Sequence, residues 1–357
     1  MLTNVLNRIK KYTISLYLVC IVTFTLQSQG LSSDLLLRVE SERVARVMFY
    51  NCENLFDTYN DTLKDDDKFL PEGEYHWSKS KYYKKLDYVS RVITSVGGWR
   101  PPGLVGLCEV ENKKVLIDLT KKSSLYIFDY KIIHKESQDR RGIDVALLYL
   151  PKQYTPIQNE FIKIEFPNNK NKKTRDILYS KGVLITGDTI HVFVNHWPSR
   201  WGGQLESEKY RIRTASVLKS IVDSILNTNK LSHVVMIGDF NDTPTDKSVL
   251  EILNVNTDTL NINNGLLYNM TYLSKEYKNT GTIKYHMKWY KFDQILVSGS
   301  LLNKSNTINV DNFSIFNASF LLEKDIKYLG NKPFRTFVGY KYNGGYSDHL
   351  PVFIDFK

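Results

Sequence analysis

Acidic, amide and imidazole side chains recur in this chain where a short apolar run stops or starts. Asn51 and Glu53 follow RVARVMFY, Glu109 closes GLVGLCEVE, Asn195 and His196 close IHVFVNHW, and Asp239 and Asn241 close VVMIGDFN. Asp293 opens KFDQILVS, and Asp348 and His349 open SDHLPVF. Residues two apart on a strand share a face, so Asn51 is expected beside Glu53 and Asp239 beside Asn241. In the second pair the carboxylate accepts hydrogen bonds, while the amide both donates and accepts. Histidine changes charge near neutral pH, and oxygen donors suit a hard divalent cation. These groups could move protons beside a bound cation. The sequence has no Cys/His cluster with zinc spacing.

Strand ends and the loops after them are where a rigid scaffold holds reactive groups. The apolar runs are short and rich in Val, Ile, Phe and Tyr, which predicts buried strands. Gly187-Asp188 predicts a tight hairpin within GVLITGDTIHVFVNHW, and NNKNKK (168–173) a solvated loop. Helices are expected around SKYYKKLDYVSRVITSVGG, over 204–228, where Ile212, Ala215, Leu218, Val222 and Leu226 follow a helical period, and at SVLEIL (248–253). Strands in hairpins mixed with a few helices predict an α+β layered domain. No linker interrupts residues 40–357, so one domain of two packed sheets flanked by helices is expected.

The chain has 357 residues, 42% hydrophobic and 24% charged, a balance that excludes a disordered polymer. Residues 1–30 carry Arg8, Lys10 and Lys11, then an apolar run too short to span a bilayer and a small polar stretch. That layout predicts a secretory signal peptide and an exported protein, periplasmic or extracellular; an uncleaved anchor is the alternative. The formal charge of +10 favours anionic partners. Beyond the leader only Cys52 and Cys108 remain, too few for a disulfide scaffold. They are expected as buried free thiols beneath the strand-end residues, with a bond between them as the alternative.

YNCENLF, LCEVEN, RRGIDVALLY, VNHWPSR, IGDFND, KFDQILVS and YSDHLPVF, in this order, resemble the endonuclease/exonuclease/phosphatase superfamily. DNase I-like nucleases, AP endonucleases, neutral sphingomyelinases and inositol polyphosphate phosphatases belong to it. The resemblance implies a four-layered α/β sandwich with two mixed sheets, and metal-assisted hydrolysis of phosphate esters. Glu109 is then the principal ligand of Mg2+, with Mn2+ or Ca2+ as alternatives. Asn51, Glu53 and Asp348 complete the metal site. Asp239 and Asn241 would contact the attacking water and a phosphate oxygen. His349 would be the base, oriented by Asp293 as in hydrolytic triads. His196 would act as the second histidine, and Arg141 as a phosphate contact.

Positive charge, basic loops and two histidines favour a secreted nuclease acting on nucleic acid. A sphingomyelinase or another small phosphodiesterase is the alternative, with the aromatic stretch YHMKWYKF (285–292) as its candidate for touching lipid. The tryptophan-cysteine-aspartate-arginine run of inositol phosphatases is absent. A binding protein that lost activity on this fold is the reading from another class. A monomer is expected, and no protein partner is implied.

Overall fold

A computed structural model describes residues 44–274 and 280–357, so the segment expected as a signal peptide lies outside the described residues. β1 (Ala45–Leu55) leads to α1 (Lys79–Gly97), β2 (Leu104–Val110), α2 (Lys113–Lys122), β3 (Lys131–His134) and β4 (Asp144–Tyr149). Then come β5 (Tyr154–Ile162), β6 (Ile177–Leu184), β7 (Thr189–His196), α3 (Gln204–Thr228) and β8 (His233–Asp239). β9 (Val255–Asn256), β10 (Leu267–Asn269) and the single turn α4 (Met270–Leu273) precede the hairpin β11 (Ile283–Tyr285) and β12 (Lys288–Tyr290). β13 (Asp293–Ser298) and β14 (Val310–Ile315) follow. Two small hairpins, β15 (Leu322–Lys324) with β16 (Asn331–Pro333) and β17 (Phe337–Val338) with β18 (Lys341–Tyr342), lead to β19 (Val352–Phe356).

The strands form two large mixed sheets, ordered β14-β19-β1-β2-β4-β3 and β5-β6-β7-β8-β13-β10-β9. Side-chain alternation sets the layers. In β8, Val235 and Ile237 join the core shared with β1, β2 and β4, whereas Val234 and Met236 pack with Ala215, Leu218 and Val222 of α3. Leu86, Val89 and Ile93 of α1 and Val115 and Leu116 of α2 belong to the first core. The result is helix, sheet, sheet, helix, the architecture expected from the sequence. Gly106 lets the sheets approach: a Cβ there would lie 2.6 Å from Ile237 Cδ1 and 3.2 Å from Phe49.

Local signals account for the helix ends. Ser78 caps α1 by accepting from the Lys81 amide, and Asn112 caps α2 by accepting from the Val115 amide. α3 has the expected span. SVLEIL forms one π-helical turn over Ser248–Ile252. Gly187, with φ of 90°, turns the hairpin between β6 and β7. Cys52 and Cys108 are free and buried. Burial pushes the Cys52 thiol up to about 12. Among the described residues no helix is long and apolar enough to cross a membrane.

Candidate active site

Strand register brings the site together. β7 and β8 run parallel with His196 opposite Asp239, and β13 runs antiparallel to β8 with Asp293 also opposite Asp239. On the facing sheet, β1 and β2 run parallel with Asn51 opposite Cys108, one residue before Glu109. The loop before β19 adds His349, bridged to Ile283 of the β11–β12 hairpin. Two sheets thus deliver polar ends to one place.

The contacts converge on Asp239. Its Oδ2 accepts from Asn51 Nδ2 at 3.2 Å and lies 3.7 Å from His196 Nε2 and 3.9 Å from His349 Nε2. Glu109 Oε1 lies 3.8 Å from His196 Nε2 and 3.5 Å from Asn51 Nδ2. Glu109 Oε2 accepts from the Asn54 amide at 3.0 Å. His349 Nδ1 and Asp293 Oδ2 share a hydrogen bond of 2.7 Å. Asn241 donates its amide N–H to Asp239 Oδ1 at 2.9 Å and its Nδ2 to the Trp197 carbonyl at 3.0 Å. Asn195 stands outside the cluster and ties Trp197 Nε1 to the backbone of Ile237.

Glu53 departs from the expected arrangement. The two-apart rule assumes a regular strand, but Glu53 (φ 49°), Asn54 (φ 60°) and Glu109 (φ 58°) adopt left-handed backbone. Pairing registers shift between Asn51 and Leu55 and between Cys108 and Val110. Such bulges re-aim side chains beside active sites. Glu53 therefore accepts from Arg335 Nε at 3.1 Å and the Thr336 amide at 2.6 Å, using both oxygens away from the cluster. Asp348 Oδ2 accepts from Arg335 Nη2 at 3.0 Å, while its Oδ1 lies 4.0 Å from His349 Nε2. Arg141 is half-exposed and pairs with Asp139 at 3.3 Å.

Three arginines that the sequence analysis did not single out hold this frame. Arg335 links Glu53 to Asp348. Buried Arg175 donates to the His196 carbonyl at 3.1 Å, to the Trp197 carbonyl, and to Asp139 at 3.1 Å. Arg200 donates to the Asn241 carbonyl at 2.8 Å and pairs with Asp242 and Asp246. Lys85, buried on α1, donates to Thr336 Oγ1 and the Tyr346 carbonyl and supplies positive charge beneath Glu53.

The two histidines differ in charge preference. Burial opposes a charge on His349, but Asp293, Asp239 and Asp348 overcome it and hold the imidazole well above its usual range. Burial holds His196 well below that range, and Arg175 and Arg141 add to the effect. His196 Nδ1 is buried without a hydrogen-bond partner. Burial pushes Asp239 up, with Asp293 and Glu109 adding repulsion and His349 opposing.

The donors suit a hard cation. Glu109 and Asp239 turn carboxylate oxygens to one point, where Asn51 Nδ2 meets both while Asn51 Oδ1 accepts from the Glu53 amide, and burial disfavours the charge of the Asp239 carboxylate. Asp239, Asp293 and His349 also present atoms within 4.8 Å of one another. In that trio, however, His349 and Asp293 are already committed to each other. Bound beside Glu109 and Asp239, a divalent cation would offset phosphodiester charge and polarise a phosphoryl oxygen.

The class follows from this fold and these strand ends: two stacked mixed sheets with carboxylates, amides and histidines at one rim. Residues 46–357 match the endonuclease/exonuclease/phosphatase family, and the chain belongs to it. It is a metal-dependent phosphoesterase. Solved structures share the fold. A humanized D. rerio TDP2 is 12% identical with a TM-score of 0.55, covering 88% of this chain and 98% of that one. A mannosyl-6-phosphatase from Bacteroides thetaiotaomicron is 14% identical with a TM-score of 0.54, covering 88% and 99%. The human Nocturnin catalytic domain with bound sulfate is 17% identical with a TM-score of 0.51, covering 88% and 95%. No curated protein sequence matches the chain.

Proposed function

We propose that the protein is an exported, magnesium-dependent nuclease that hydrolyses phosphodiester bonds of nucleic acid. The observation that carries the catalytic reading is the His349–Asp293 hydrogen bond of 2.7 Å, with His349 Nε2 turned toward Asp239. Glu109 and Asp239 would hold the cation, with Asn51 Nδ2 orienting their oxygens; Asp348 borders the same rim. Glu53 serves by fixing Arg335 and the backbone at Thr336.

Three carboxylates around His349 support its charged form at rest. His349 then donates to a phosphoryl oxygen, and Asp239 is the acceptor for the proton of an attacking water. Asp293 fixes the tautomer by keeping the proton on Nδ1. The Asn241 amide holds Asp239 Oδ1 and Asn51 Nδ2 holds Oδ2, whose second lone pair faces the water. His196 Nε2, on the other side of Asp239, is placed to contact the phosphate or the leaving oxygen. This assigns the proton-accepting role to Asp239, where the family resemblance had given it to His349.

Nucleic acid as substrate is supported by the basic charge, +10 for the whole chain and +7 without Arg8, Lys10 and Lys11 of the leader, and by a neighbour of the same fold, a D. rerio TDP2 complexed with single-strand DNA product. A second reading has one observation behind it. The β11–β12 hairpin borders His349 and exposes Tyr285 and Met287, as a lipid-touching element would. Purified protein with magnesium should nick supercoiled plasmid, and EDTA should abolish nicking. Release of phosphocholine from sphingomyelin vesicles with the plasmid intact would replace the nuclease reading by the lipid one. Recovery of the protein only in the cytoplasm, with its first thirty residues attached, would remove the export reading.

A further inference from the structure

A cavity of about 700 Å3 opens between the loop that carries NNKNKK and the start of α3. Its wall includes Pro198 and Arg175, and Arg175 donates directly to the carbonyls of His196 and Trp197. The cavity is therefore built onto the strand end that delivers His196. Its lining has six cations against two carboxylates. One of those carboxylates, Asp139, is already neutralised by Arg175 and Arg141. That leaves Arg140, Lys172, Lys173 and Lys209 facing Glu206 alone.

Aromatic rings sit among these charges. Lys172 and Lys209 each hold Nζ 5.3 Å from the Tyr210 ring centre, and Asn169 donates to the Tyr210 hydroxyl at 3.2 Å. Trp201, on the cavity wall, is 89% exposed. A purely solvated basic loop would extend into water. This one is folded against α3, so that lysines from two segments converge on one ring. Cations that track a backbone, interleaved with an aromatic face, are what single-stranded nucleic acid requires.

The geometry points to this cavity as a subsite for the strand flanking the scissile phosphodiester, with Lys172 and Lys209 on its phosphates and Trp201 stacked on a base. The inference rests on the nuclease reading of the neighbouring centre. A labelled single-stranded oligonucleotide, titrated in EDTA so that no turnover occurs, tests it. Lys172→Ala/Lys209→Ala should bind about tenfold more weakly at low salt, with the slope of log K against log salt reduced by about 1.4 for two lost contacts. Trp201→Ala should weaken binding about fivefold or more with the slope unchanged. Affinity and slope equal to wild type in the double lysine variant would overturn the subsite. Hydrolysis of bis(p-nitrophenyl) phosphate by the wild type, a substrate with a single phosphate, separates the two levels. Turnover of that ester without lysine-dependent strand binding overturns the subsite and leaves the catalytic reading standing. Failure to turn over any ester overturns the reading beneath it.

Discussion

His196 and His349 sit on opposite sides of Asp239, 3.7 and 3.9 Å from the same oxygen, and both are buried. Their surroundings drive them in opposite directions. His349 comes from the loop before β19 and meets Asp293 at the first residue of β13, so its Nδ1 has a carboxylate partner. His196 closes β7, and its Nδ1 has none. Behind it stands Arg175, spending its donors on the backbone of residues 196 and 197 and its charge on Asp139. Burial favours the neutral form of both rings, and the second element each ring meets decides the outcome. One rim thus holds a charged imidazole and a neutral one, which lets one donate while the other accepts or contacts neutrally.

Removing each ring in turn separates the two roles. His349→Ala should lower kcat/KM for bis(p-nitrophenyl) phosphate by about a thousandfold to ten-thousandfold, at the upper end of what a positioned proton donor contributes. An unchanged circular dichroism spectrum would assign the loss to chemistry. A loss under about tenfold would mean that His349 does not touch the reacting atoms. His196→Ala should cost less, about a hundredfold, because its proposed role is secondary and no carboxylate at Nδ1 orients the ring. Equal losses in the two variants would erase the functional difference drawn from their surroundings.

Much of this rim was legible because strand ends are. Asn51, Glu109, His196, Asp239 and Asp293 each interrupt an apolar run, and pairing register then places them together. Glu53 shows where that reading stops. It follows the same run, but a left-handed residue breaks the alternation on which the face assignment depends. Backbone conformation of that kind leaves no mark on residue type when the residue is glutamate rather than glycine. Arg335 was illegible for another reason. Its partner Glu53 lies 282 positions away, and its segment NKPFRTFVG has no periodicity to give it a face. Arg175 reads as one more charge in a basic loop, and only the fold shows it buried under His196.

A third imidazole supplies the control that separates burial from specific partners, and its expected effect is the smallest. His191 lies on β7, away from the rim, and its Nδ1 pairs with the Tyr179 hydroxyl at 2.8 Å. Burial, then Lys181 and His233, push it down to about 4. A histidine with a depressed native pKa folds best when neutral. Its contribution is therefore fully present above about pH 6.5, its unfolded value, and is lost as pH falls toward about 4. Denaturant unfolding of wild type and His191→Gln between these limits should give stability curves that diverge by at most about 1.4 kcal/mol per pH unit, the limit for one proton. Wild type should show the steeper loss toward acid. Parallel curves would show that burial at this position does not suppress protonation. The contrast between His196 and His349 would then have to come from their charged neighbours, without the burial that both are taken to share.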